Sequence, residues 1–199
     1  MKQTVLIVAA IALCALALPT GSAAQTLVTD SNAAIYEGSR LSYIVAAPPG
    51  FELELAESQV EDYSFAFIPE GESFSEATMH VGITIYTLVD SVRNLGPAEE
   101  FIALDTASMR KHFGESLTIR PVDSVMNGSN VSMTTFYLED KTRFMPNVMV
   151  AYFDGSEELV IFELVITRDF PRFLAEDTFM QTLKNFKTLV QGELSQKSD

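Results

Sequence analysis

The chain has 199 residues and a formal net charge of −14, with 47% hydrophobic and 20% charged residues, 14 Phe, no Trp, one Cys and two His. That apolar share excludes a disordered chain, and a single Cys excludes a disulfide scaffold. The acidic excess argues against nucleic acid and anionic membrane surfaces, which repel a protein of like sign, and the length favours one domain.

The first 24 residues read as an address. Lys2 supplies a positive start, Val5 to Leu18 is uncharged and apolar, and Pro19-Thr20-Gly21 then breaks the run. Ser22-Ala23-Ala24 puts small residues where a signal peptidase cuts, so cleavage is expected after Ala24. The run is too short to span a bilayer, which takes roughly 20 apolar residues, and no later segment reaches that length without a charge. Cys14 lies inside the apolar run behind Leu13 and reads as part of it rather than as a lipidation site. The mature chain would therefore begin at Gln25, carry no cysteine and be one charge more negative. An exported domain of this size without disulfides fits a bacterial periplasm, with release from the cell as the alternative.

Residues 25–40 are small and polar, with no sustained period, and are expected as a flexible lead-in. Leu41 to Val45 begins the regular structure. Pro48-Pro49-Gly50 is a turn, and Phe51 to Leu55 alternates apolar and acidic, so these two strands are expected as a hairpin. Tyr63, Phe65 and Phe67 alternate on one expected strand face. From Thr78 to Leu88 the alternation places Met79, Val81, Ile83 and Ile85 against His80, Gly82, Thr84 and Tyr86.

The period then changes. Pro97 with Glu99 and Glu100, and later Arg110, Lys111, His112 and Gly114, mark a helix over about 97–113, with Ile102, Met109 and Phe113 on its apolar face. Strands follow over 117–125, 131–138, 147–153 and 158–168, punctuated by Asn127-Gly128 and Asp154-Gly155. The last is apolar on both faces, as a central covered strand would be. Phe179, Leu183, Phe186 and Val190 form a stripe that predicts a closing helix over about 174–190, with 191–199 as a polar tail. The expected fold class is α+β: one domain over 41–190, a largely antiparallel sheet with helices packed on it.

The pattern resembles the Mog/PsbP superfamily of α/β/α sandwiches. The residues that carry the resemblance are Tyr43-Ile44 leading to Pro48-Pro49-Gly50-Phe51, the hairpins, and the strand 158–168 before the closing helix with Asn185-Phe186-Lys187. The resemblance implies an interaction or assembly role rather than catalysis, and brings no functional residue with it.

No catalytic motif, phosphate loop or metal-ligand spacing is present in the sequence, so no catalytic residue, metal or cofactor is expected. His112 reads as a helix-terminal cation. His80 reads as a solvated or hydrogen-bonded sheet residue. Glu163 interrupts the most apolar strand, where a carboxylate must be paired, protonated or ligating. Its bland explanation is an Arg, Lys or hydroxyl at the sheet edge, or solvent on a partly open sheet face; the sharper one joins it to His80, Thr84 and Tyr86 on a polar sheet face lining a small-molecule or metal pocket. Glu52, Glu54, Glu57, Glu61 and Asp62 form an acidic stretch, either a solvated surface or a docking face for a basic partner. The first functional expectation is thus an exported, non-enzymatic protein of the bacterial envelope that binds an unidentified protein. The alternative is a periplasmic small-ligand or metal-binding protein. A hydrolase without a recognisable motif ranks third.

Overall fold

The computed structural model describes residues 26–30, 32–37, 41–55, 57–87, 98–123, 125–140, 146–155, 158–167 and 170–190. The expected signal segment, the Pro97 helix start and the 191–199 tail lie outside the described residues. The strands are β1 (Thr26–Asp30), β2 (Ala33–Glu37), β3 (Leu41–Ala46), β4 (Phe51–Glu54), β5 (Phe65–Pro69), β6 (Met79–Thr87), β7 (Leu117–Val122), β8 (Thr134–Asp140), β9 (Asn147–Asp154), β10 (Glu158–Ile166) and β11 (Lys187–Val190). Among the described residues two helices, α1 (Ala98–Phe113) and α2 (Arg172–Asn185), and one 3-10 turn, Ser58–Glu61, accompany these strands in an α+β fold.

Seven strands form one antiparallel sheet in the order β4-β5-β6-β10-β9-β8-β7. Its centre is β10, all nine residues of which are buried. Side chains alternate across a strand, so β10 serves two cores. Val160, Phe162, Leu164 and Ile166 point into the larger one, beneath α2. Leu159 and Ile161 point the other way, into a core that α1 covers with Ile102, Met109 and Phe113. The apolar run at 158–166 is thus that of a strand covered on both faces. At the sheet ends, β4 carries Glu52 and Glu54, and β7 carries Arg120 and Pro121.

The other four strands form a second sheet in the order β1-β2-β3-β11. Three differences from the sequence expectations follow. Residues 26–37, expected within a flexible lead-in, form the β1–β2 hairpin, because β3 offers β2 a partner edge. Nor is the segment 41–45 the hairpin partner of 51–55: β3 pairs with β2 and β11, while β4 pairs with β5. The Pro48-Pro49-Gly50 turn, with Gly50 at φ 78°, carries the chain from one sheet to the other. The closing helix ends at Asn185, since Phe186 is extended at φ −73° and ψ 122° and the next four residues join β3 as β11. The apolar stripe remains internal: Phe179, Leu183 and Phe186 are fully buried.

The smaller sheet meets the larger through an aromatic layer. The Tyr43 ring stacks on Phe186 at 5.8 Å and meets Phe153 edge-on at 5.9 Å. Its hydroxyl donates to Glu158 Oε2 at 3.0 Å, so the buried carboxylate at the start of β10 is satisfied from the other sheet.

Candidate functional site: a buried polar layer beside Gly82

The register of β6 against β10 decides the site. Glu163 lies opposite Gly82, Ile161 opposite Thr84, Leu159 opposite Tyr86 and Val165 opposite His80. His80, Thr84, Tyr86 and Glu163 therefore share one sheet face, the one turned toward α1. On this face the strands bring together the four residues singled out from the sequence.

Gly82 explains what fills the space between them. A Cβ at this position would stand 2.3 Å from the Tyr63 ring, so the missing side chain is the seat of that ring. Tyr63 is not on the face of Phe65 and Phe67, as its alternation predicts. It belongs with Ala66, Ile68, Phe74 and Ala77, whereas Phe65 and Phe67 enter the main core. The alternation breaks at Ser64, where the chain bends before β5; Asp62, left-handed at φ 67°, ends the 3-10 turn just ahead of it. Replacing Gly82 by alanine is expected to unseat the ring, break its bond to Glu163 and cost about 1–3 kcal/mol in urea unfolding. Wild-type stability for Gly82→Ala would show that the ring is not seated there.

From this seat the Tyr63 hydroxyl donates to Glu163 Oε2 at 3.0 Å. Burial pushes the Glu163 carboxyl up to about 7; the charge of Asp105 adds to the rise and the Tyr63 hydroxyl opposes it. Glu163 thus meets a hydroxyl, as its bland explanation allowed, but on the central strand rather than at a sheet edge. Asp105 reaches in from α1 and accepts a 2.5 Å hydrogen bond from Tyr152 of β9. Burial raises its carboxyl as well, against that bond. Tyr86 is pushed up to about 12 by burial first, then by the charges of Glu163, Asp105 and Asp62. Two carboxyl groups, Glu163 buried and Asp105 half-buried, thus share this layer, and among the described residues no cation pairs with Glu163.

His80 is neither solvated nor hydrogen-bonded. It is buried, and neither Nδ1 nor Nε2 has a partner. Its ring lies between Phe74, at 4.7 Å, and Tyr63, at 5.6 Å. Burial alone lowers the imidazole to about 4, so the ring is neutral at pH 7. Residues not recognisable in advance are Tyr63, Phe74, Asp105 and Tyr152. The signal that pointed to Tyr63 was Gly82, an isolated glycine inside a strand, which marks close approach of another group.

The acidic stretch has a different geometry. Glu54 accepts hydrogen bonds from the backbone N–H of Glu57 at 2.8 Å and of Ser58 at 2.7 Å, fixing the start of the 3-10 turn. Glu52 accepts from Gly71 N–H at 3.0 Å, and Glu57 from Ser75 N–H at 3.3 Å. Asp62 is exposed at the far end of the turn, and the side chain of Glu61 lies outside the described set. Among the described residues no group of three or more His, Cys, Asp or Glu could hold a metal ion. No described helix is long and apolar enough to cross a membrane.

No family model matches the chain. No curated protein matches it either. Among solved structures it is similar to the solution structure of cyanobacterial PsbP (CyanoP) from Synechocystis sp. PCC 6803, at 11% identity and a TM-score of 0.48, covering 86% of this chain and 100% of that one.

Proposed function

We propose that the protein is an exported, non-enzymatic binding protein of the bacterial envelope, acting in the periplasm after cleavage behind Ala24, through contact with a basic protein. The observation that carries this reading is Val60. It stands 81% exposed on the 3-10 turn, flanked by exposed Glu57, Gln59 and Asp62. The turn beneath it is held firmly: Glu54 accepts two backbone N–H groups, and the buried Ser58 hydroxyl donates toward the carbonyls of Glu54 and Leu55. An apolar side chain held outward in an acidic rim suits a basic surface with an apolar recess, since rim charge speeds encounter and a buried apolar anchor supplies affinity.

Affinity capture from the native envelope, at low and high salt, tests the reading with wild type and Val60→Ser. A basic protein is expected at low salt, with recovery falling at least tenfold in high salt and again in the variant. Recovery indifferent to both overturns it. The second reading, a small ligand or metal at His80, Thr84, Tyr86 and Glu163, has in its favour the unpartnered nitrogens of His80. Against it, the Tyr63 ring occupies the space over Gly82.

A further inference from the structure

The segment over residues 70–78 crosses His80 and carries Phe74, whose ring centroid is 4.7 Å from that of the imidazole. Carboxylates fasten it in place. Glu52 accepts the Gly71 N–H and Glu57 the Ser75 N–H, while within the segment Glu72 Oε2 accepts the Thr78 N–H at 2.8 Å. At its far end Thr167 holds the Ala77 carbonyl through its hydroxyl and the Thr78 carbonyl through its N–H at 3.0 Å. Beneath this strap both ring nitrogens of His80 have no partner. A buried polar group left unmade is costly, and a buried charge more so.

We propose that the 70–78 segment is an acid-released lid, closed over neutral His80 and opened when that imidazole takes up a proton. The groups around it leave an imidazolium nothing to pair with. Glu163, diagonal to His80 across β6 and β10, bonds to the Tyr63 hydroxyl and is uncharged in mild acid. Tyr63 presents its ring, Glu72 is turned to Thr78, and Glu76 is exposed. Tyr86 and Asp105 lie farther along the face, with Asp105 bonded to Tyr152. Opening gives the imidazolium water. Opening leaves β10 and α2 untouched.

Hydrogen exchange of the full chain, corrected for intrinsic rates and followed from pH 7 to pH 4, tests this. Peptides over 70–80 are expected to lose protection by about 100-fold between pH 7 and pH 4, the change that corresponds to an imidazole held near 4 when closed and at 6.5 when open. Peptides over 158–166 and 172–185 are expected to keep theirs. In His80→Phe most of the acid-induced loss should vanish. As a measurement on the unaltered protein, the His80 ring signal in NMR should titrate well below 6.5, at lower pH than the onset of the loss of protection. Loss in step with β10, loss undiminished in His80→Phe, or a His80 ring titrating near 6.5 overturns the proposal.

Discussion

Truncating Phe186 to alanine is expected to lower the unfolding free energy by about 3–5 kcal/mol, the range for deleting a buried aromatic ring. Phe186 is fully buried where α2 turns into β11. Its ring meets Phe153 at 5.0 Å, Phe162 at 5.1 Å and Tyr43 at 5.8 Å, so one side chain joins β9, β10 and β3. Both sheets contribute to its surroundings, and neither can collapse into the void without giving up contact with the other. Two bonds, from its own N–H to the carbonyls of Thr182 and Leu183, fix the ring at the end of α2. Urea unfolding followed by circular dichroism measures the effect. A loss below about 1 kcal/mol would mean that the two sheets are not joined through this ring.

The second large effect is pH-dependent and belongs to Glu163. In the folded chain its carboxyl sits at about 7 against an ordinary 4.5, so the native state holds a proton that the unfolded state releases between those values. The stability it contributes is present below 4.5 and is lost as pH rises through 7, to a total of roughly 3 kcal/mol. Asp105, raised in the same direction, adds to the decline. His80 acts oppositely. Its imidazole stays neutral down to about 4 in the fold, so its contribution is present above 6.5 and lost as pH falls through 4. Between 4.5 and 6.5 the slopes of Glu163 and His80 oppose each other and the wild-type curve is flattened. Glu163→Gln should therefore show stability rising with pH in that window and gain on wild type by roughly 3 kcal/mol on going from pH 4.5 to pH 8. Urea unfolding at half-unit pH steps measures the difference. A wild-type-to-variant gap that does not change with pH would refute the assignment of a buried, uncharged carboxyl to Glu163.

Much of the architecture was legible because period carries it. The strand at 158–166 announced itself by apolar residues on both faces, and α1 by its charges at either end and the spacing of Ile102, Met109 and Phe113. Period fails where two structures share it. Phe179, Leu183, Phe186 and Val190 fit a helical stripe, yet the chain leaves the helix after Asn185, because a free edge of β3 competes for the next residues. The β1–β2 hairpin was hidden for the same reason: a short, partly polar segment gains its strand character from β3, a neighbour that local sequence does not display.

The site divides along the same line. His80, Thr84 and Tyr86 fall on one face by alternation alone. That Glu163 lies opposite Gly82 depends on register between strands distant in sequence, which a single chain does not encode locally. Asp105 reads as one more polar position on α1 until the helix is docked and Tyr152 is found beneath it. Tyr63 was assigned to the wrong face because the chain bends at Ser64, so the alternation does not run from it into β5.

The ends of the seven-stranded sheet bear on how a partner can approach. A terminal strand exposes a row of unpaired N–H and C=O groups, a template on which another chain can add itself. Here β4 places Glu52 and Glu54 along its length, and β7 interrupts its row with Pro121 beside Arg120. Charge and a missing donor are the features by which terminal strands discourage such addition. Lengthening of the seven-stranded sheet by another chain is thereby disfavoured at both of its ends.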